Sequence, residues 1–124
     1  MTILTPNAPQ PIGPYSQAIR EGNLLFCSGQ IALDPLTGVM RNTSIEEEAN
    51  QILLNLSEVL KAGGSDLSSV MKTTIFLTDM NDFAKVNEVY SKAFGDAKPA
   101  RSTVGVSALP KGARVEIECI AQVS

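Results

Sequence analysis

The chain has 124 residues, of which 44% are hydrophobic, and its 10 basic and 13 acidic side chains give a net charge of −3. This size and composition predict one packed domain over residues 1–124 and argue against general disorder. The chain contains no histidine, which excludes a Ser-His-Asp triad, a Cys-His pair, a His-ligated zinc ion and a histidine general base.

Charge and cysteine content also restrict partners and location. The acidic balance argues against nucleic acid as a partner, because nucleic-acid-binding proteins usually carry a basic patch. Cys27 and Cys119 both lie in apolar runs, which favours free buried thiols in a cytoplasmic protein, with a disulfide as the alternative. Residues 1–15 lack the pattern of a secretory signal, and no apolar run approaches the ~20 residues of a membrane span.

The first half of the chain predicts an extended lead-in, two strands and a helix. Four prolines within residues 1–14 disfavour a helix there. Residues 15–28 contain two strands around a turn, and Gly29 marks a bend or a close approach of the backbone. A helix then begins at Ser44 with a capping-box pattern and an apolar stripe, and it ends at Gly63.

The second half predicts a strand, a helix and two further strands. Residues 70–78 are rich in β-branched and aromatic side chains, which favours a strand. The next helix begins after possible caps at 79–82 and ends at Gly95. Strands follow at about 100–106 and at 113–123, where polar and apolar residues alternate. This order predicts an α+β fold with both helices on one face of the sheet.

The face of the sheet that the helices leave uncovered indicates an oligomer. In the last strand, Arg114, Glu116 and Glu118 alternate with apolar residues and share this face with Ile120. A mixed polar and apolar face of this kind often contacts another subunit.

Three features are candidates for chemistry. Arg101 stands among small residues and is suited to bind a carboxylate through two hydrogen bonds, although a surface arginine or a structural ion pair is the simpler explanation. Glu116 and Glu118 lie roughly 7 Å apart on one strand face, a pairing known from hydrolases and from solvated or subunit-facing strands. Asn87 interrupts the apolar stripe of the second helix, so it either ties down a loop or faces a cavity.

Six segments in register resemble the RidA/YjgF/YER057c family closely, over about residues 12–123. They are IGPYSQA at 12–18, SGQI at 28–31, KTTIFLTD at 72–79, DF at 82–83 with VNEVY at 86–90, PARS at 99–102 and LPKGARVEIE at 109–118. The resemblance implies a chorismate-mutase-like α+β fold and a homotrimer with a barrel-like core and a ligand cleft at each subunit interface. It also implies a 2-iminobutanoate/2-iminopropanoate deaminase activity without metal or cofactor. Such an enzyme hydrolyses the enamines and imines released by serine and threonine dehydratases to 2-keto acids and ammonia.

The resemblance also assigns roles to individual residues. Arg101 matches the arginine that binds the substrate carboxylate, and Glu116 matches the glutamate that holds the attacking water. The matching cleft-lining positions are Tyr15, Ser28, Gly29 and Asn87. Thr103 is a further cleft position and stands where several bacterial members have cysteine, so no thiol role is expected there. The alternatives are a single-strand endoribonuclease or translation inhibitor, and a non-enzymatic trimer that binds small carboxylates or acts as a chaperone.

Overall fold

The fold is one mixed sheet with two helices on one of its faces, in a computed structural model that describes residues 1–124. The strands are β1 (Thr2–Ile3), β2 (Ala18–Glu21), β3 (Leu24–Gln30), β4 (Val70–Leu77), β5 (Ala100–Gly105) and β6 (Val115–Gln122), and the helices are α1 (Ile45–Ala62) and α2 (Phe83–Phe94). The order across the sheet is β1-β2-β3-β6-β4-β5, and only the β4–β5 pair is parallel. The α+β prediction is confirmed. β1 has no counterpart in the sequence predictions, because two residues are too few to show an alternation.

Helix α1 begins and ends where its sequence predicts. The Ser44 hydroxyl accepts a hydrogen bond of 3.0 Å from the Glu47 backbone N–H. The Glu47 carboxylate reaches one residue further back than a capping box requires and accepts from the Thr43 N–H at 2.8 Å. Gly63 ends the helix against the core, because a Cβ there would lie 2.6 Å from a methyl carbon of Leu25.

Helix α2 is entered through a single 3₁₀ turn. The Asp79 carboxylate accepts a 2.9 Å hydrogen bond from the Asn81 N–H and caps that turn. The helix buries three side chains at its core face, Val86, Tyr90 and Phe94, and Asn87 is half-buried beside them. Neither helix combines the length and apolar character that a membrane crossing requires.

The core lies between the sheet and the helices and contains 24 buried hydrophobic residues. From β6 it receives Val115, Ile117, Cys119 and Ala121, as the alternation predicts. Arg114 is an exception: the alternation assigns it to the uncovered face, but it precedes β6 and its guanidinium binds the Glu48 carboxylate of α1. This part of the prediction was wrong, because alternation applies only within the strand.

The uncovered face of the sheet carries apolar side chains among charged ones. Ile19, Phe26 and Val104 are 41%, 43% and 40% exposed. Ile19 pairs with Phe26, and Phe26 pairs with Ile120 of β6, so these residues form a row across three strands. We name this surface, with Glu116 and Glu118, the open face.

The two cysteines meet inside the core. Cys27 of β3 lies opposite Cys119 of β6 in the strand register. Both are buried and free, as predicted.

Candidate functional site

Four of the predicted site residues line one cavity of about 460 Å³. We name it the glutamate cavity. The N-terminal segment, the end of β3 and the turn before β6 enclose it, and the four residues are Tyr15, Ser28, Gly29 and Glu116. A cavity of this volume is within the range of small-molecule sites.

A bulge in β3 brings the backbone against the Glu116 side chain. The pairing of β3 with β6 slips between Cys27 and Gln30, and Gly29 lies within this slip. A Cβ at position 29 would lie 2.9 Å from Glu116 Cδ and 3.0 Å from its Cγ. The absence of a Cβ at Gly29 therefore leaves room for the Glu116 side chain, a close approach of the kind that the sequence predicts in outline.

The Glu116 carboxyl group has no cationic partner in the chain. It is half-buried and takes part in no salt bridge. Burial, and secondly the negative charge of Glu118, raise the pKa of Glu116 above its usual range. A carboxylate with a raised pKa is a stronger base than an exposed one. No group of three or more Cys, Asp or Glu side chains in the chain could hold a metal ion.

The wall of the glutamate cavity is held by a buried amide that sequence reasoning missed. Gln17 is 1% exposed. Its side chain accepts from the Thr5 N–H at 2.7 Å and donates to the Pro9 carbonyl at 2.9 Å, which fixes the N-terminal segment over the cavity. Ser28 donates its hydroxyl to the Ser16 carbonyl at 2.6 Å, so in the cavity it offers an acceptor. The one signal of this role in the sequence was that a polar residue, Gln17, directly precedes a buried residue of a strand.

A second missed feature fixes the start of β6. The fully buried Glu48 carboxylate accepts from the Arg114 N–H at 2.7 Å, from Arg114 Nε at 2.8 Å and from the Val115 N–H at 3.2 Å. These bonds satisfy a charge that would otherwise be costly to bury. They connect α1 to the residue directly before Glu116.

Arg101 lies at a different cavity, of about 530 Å³, between α2 and the segment that leads into β5. We name it the arginine cavity. Arg101 Nη1 donates to Asn87 Oδ1 at 2.7 Å. The guanidinium carbon lies 4.9 Å from the centre of the Tyr90 ring and 5.5 Å from that of Phe83. No acidic side chain forms a salt bridge with it. The cation is therefore oriented but has no anionic partner.

The side chains that lie beneath Arg101 extend into the hydrophobic core. The Tyr90 hydroxyl and the hydroxyl of the buried Thr73 are 2.7 Å apart. Burial is the main cause that raises the pKa of Tyr90, which keeps the phenol neutral beneath the guanidinium. Thr103 lines neither cavity. Its hydroxyl oxygen is buried without a hydrogen-bond partner, and it lies opposite Ile75 in the sheet.

Within one chain, the structure does not bring Arg101 and Glu116 together. Arg101 pairs with Thr73 and contacts α2, so it lies on the helix side of the sheet. Glu116 lies between the buried Val115 and Ile117, so its side chain points to the open face. The seven predicted site residues thus divide into four at the glutamate cavity, two at the arginine cavity and Thr103 outside both.

Comparison with known proteins gives a family match over nearly the whole chain. A family model described as Endoribonuclease L-PSP matches residues 5–123. A mouse protein named 2-iminobutanoate/2-iminopropanoate deaminase is 51% identical over 119 residues, which cover 96% of this chain and 88% of that protein.

Two solved structures show the same fold. A protein from Thermotoga maritima, described as a putative endoribonuclease, has a TM-score of 0.98 and 49% identity, and the match covers 100% of this chain and 98% of that one. The E. coli protein TdcF, solved with bound serine, has a TM-score of 0.95 and 40% identity, with coverage of 100% and 99%.

Proposed function

The chain belongs to the endoribonuclease L-PSP family, the RidA/YjgF/YER057c family that its motifs resemble, and on this premise we propose that it hydrolyses small 2-imino acids to 2-keto acids and ammonia. The observation that carries the proposal is Arg101, a guanidinium fixed by Asn87 and two aromatic rings but without an acidic partner. Such a fork suits the carboxylate of a small acid. The name of the mouse relative and the serine bound to TdcF are consistent with this substrate class.

The active site in this proposal forms between two copies of the chain. Arg101 of one copy binds the substrate carboxylate at the edge of the glutamate cavity of the next copy, in a homotrimer whose open faces form a barrel-like core. The separation of Arg101 and Glu116 onto opposite faces supports a shared site. The exposed apolar side chains of Ile19, Phe26 and Val104 support burial of the open face in the assembly.

The chemistry needs only positioning and a base. The ionised Glu116 accepts a proton from a water molecule as the water oxygen bonds to the carbon of the protonated imine, and the electron pair of the C=N bond moves to nitrogen to give a neutral carbinolamine. Glu116 then returns this proton to the amino nitrogen. Ammonia leaves as the carbinolamine hydroxyl gives up its own proton to the solvent and becomes the carbonyl of the 2-keto acid. Orientation by Arg101 and general base assistance, worth about 10²–10⁴-fold, account for the acceleration without histidine. Tyr15, Ser28 and Gly29 at the glutamate cavity and Asn87 at the arginine cavity complete the cleft in this proposal, whereas Thr103 lines neither cavity and is not part of it.

Arg101→Ala tests the proposal directly. A threonine or serine dehydratase supplies the imine, and ammonia or keto acid is followed while a scavenger intercepts the free enamine. Arg101→Ala is expected to abolish the acceleration, and Arg101→Lys to restore little of it because a point charge replaces a fork. Arg20→Ala is the matched control, since Arg20 lines neither cavity. Wild-type turnover by Arg101→Ala would refute the carboxylate role.

The word endoribonuclease in the family description supplies the alternative activity. The same purified variants, assayed for cleavage of single-stranded RNA, distinguish imine hydrolysis from ribonuclease activity. RNA cleavage that Arg101→Ala removes, without any imine turnover by the wild type, would favour the ribonuclease.

A further inference from the structure

The turn before β6 contains an unusual backbone conformation. Lys111 is the one residue other than glycine with a positive φ in the chain, at φ +56° and ψ +27°. A side chain such as lysine adopts this left-handed region rarely and at an energetic cost, whereas glycine and asparagine adopt it readily. Residues held in such conformations cluster at functional sites.

The surrounding structure holds this turn in place at the glutamate cavity. The Ala113 N–H donates to the Pro110 carbonyl at 3.1 Å and closes the turn. The Glu48 carboxylate fixes the following residue, Arg114, from α1. The strained lysine is therefore held at the rim of the same cavity that Glu116 lines.

Lys111 is also a cation without a partner. It is exposed and contributes to none of the four salt bridges. Among the 13 residues that line the glutamate cavity, it is the one cationic side chain. The cavity also presents apolar side chains, including Ile12, Ile31 and Leu33. Its volume of about 460 Å³ leaves room for a ligand larger than a three-carbon imine.

We propose that Lys111 is a specificity residue that binds a second carboxylate of the substrate, so that the site accepts dicarboxylic 2-imino acids. The inference rests on the proposed function, in which Arg101 binds the carboxylate next to the imine carbon and Glu116 binds the water. The ligand's side chain then lies along the apolar wall, and its distal carboxylate meets the Lys111 ammonium group. A charged hydrogen bond at this point offsets the repulsion between the dicarboxylate and Glu116.

The test compares two substrates in one assay. An amino-acid oxidase generates the imines of alanine and glutamate, and kcat/KM for ammonia release is measured for each. Wild type is expected to hydrolyse the glutamate-derived imine at least as well as the alanine-derived one. Lys111→Met is expected to lower the ratio of the two kcat/KM values by about two- to fivefold, the effect of losing one charged pair at a solvent-exposed position. The matched control Lys85→Met, on the exposed side of α2, leaves the ratio unchanged.

A stability measurement tests whether Lys111 has only a structural role in the turn. Lys111→Asn is expected to keep or raise Tm, because asparagine suits the left-handed conformation, while it lowers the substrate ratio like Lys111→Met. An unchanged ratio in both variants, or a loss of Tm by several degrees in Lys111→Asn, would overturn the inference. If Arg101→Ala turned over both imines normally, the proposed function itself would fail. This result is distinct from an unchanged substrate ratio in the Lys111 variants, which would refute only the role of Lys111.

Discussion

Replacing Gly29 with alanine should damage activity without damaging the fold. The new Cβ would lie 2.9 Å from Glu116 Cδ, and ordinary contact begins at 3.4 Å, so Cδ must withdraw by about 0.5 Å and the nearer carboxylate oxygen by more. A displacement of about 1 Å in a catalytic group costs on the order of 100-fold in rate, or about 2.7 kcal/mol of barrier. We therefore expect kcat to fall about 100-fold and KM to change little, because Arg101 is untouched.

The fold should tolerate this change for two reasons. Gly29 has no positive φ, so alanine introduces no backbone strain, and it stabilises by about 0.4–1 kcal/mol through the unfolded state. The clashing group is also the end of a flexible side chain. Gly63→Ala is the contrasting variant, because its Cβ would meet Leu25 in the core at 2.6 Å. It should lose about 1–3 kcal/mol of stability.

Urea unfolding and steady-state imine hydrolysis measure both variants. Near wild-type activity in Gly29→Ala would show that the position of the Glu116 carboxylate does not limit the reaction. That result would refute the reasoning.

Two further predictions concern the charges around β6. Glu118→Gln removes the negative charge that helps to raise the pKa of Glu116. Since the ionised Glu116 is the active form in the proposed mechanism, the acid limb of the pH profile of kcat/KM should move to lower pH, with no change well above both pKa values. A limb that stays in place would contradict the coupling between Glu118 and Glu116. Glu48→Ala leaves the Arg114 and Val115 N–H groups without their acceptor and should cost about 3 kcal/mol in urea unfolding. The control variant Glu88→Ala removes an exposed ion pair with Lys92 and should lower the free energy of unfolding only slightly. Equal losses in the two variants would contradict the stabilising role of the Glu48 hydrogen bonds.

The elements of the fold were predictable because local patterns specify them. The cap at Ser44, the glycine after α1 and the alternation of β6 each act within a few residues along the chain. Tertiary hydrogen bonds leave no such pattern. Glu48 and Arg114 are 66 residues apart, so neither looks unusual in the sequence, and alternation alone assigned Arg114 to the wrong side.

The residues of the site were predictable from motifs, but their arrangement was not. The identity of Gly29 signals a close approach, yet only the register slip in β3 shows that the group approached is Glu116. Likewise, nothing in the local sequence places Arg101 and Glu116 on opposite sides of the sheet. That relation depends on the pairing of three strands, β5 with β4 and β4 with β6.

The measurement that tests the central claim most directly is complementation between two inactive variants. Arg101→Ala and Glu116→Gln are each expected to be inactive alone. When the two are unfolded together in equal amounts and refolded, a site shared between neighbouring copies takes its arginine from one variant and its glutamate from the other. Random assembly then restores about one quarter of wild-type activity. A mixture in which mass spectrometry finds mixed assemblies but imine hydrolysis stays at the level of the parent variants would contradict a site built from two copies.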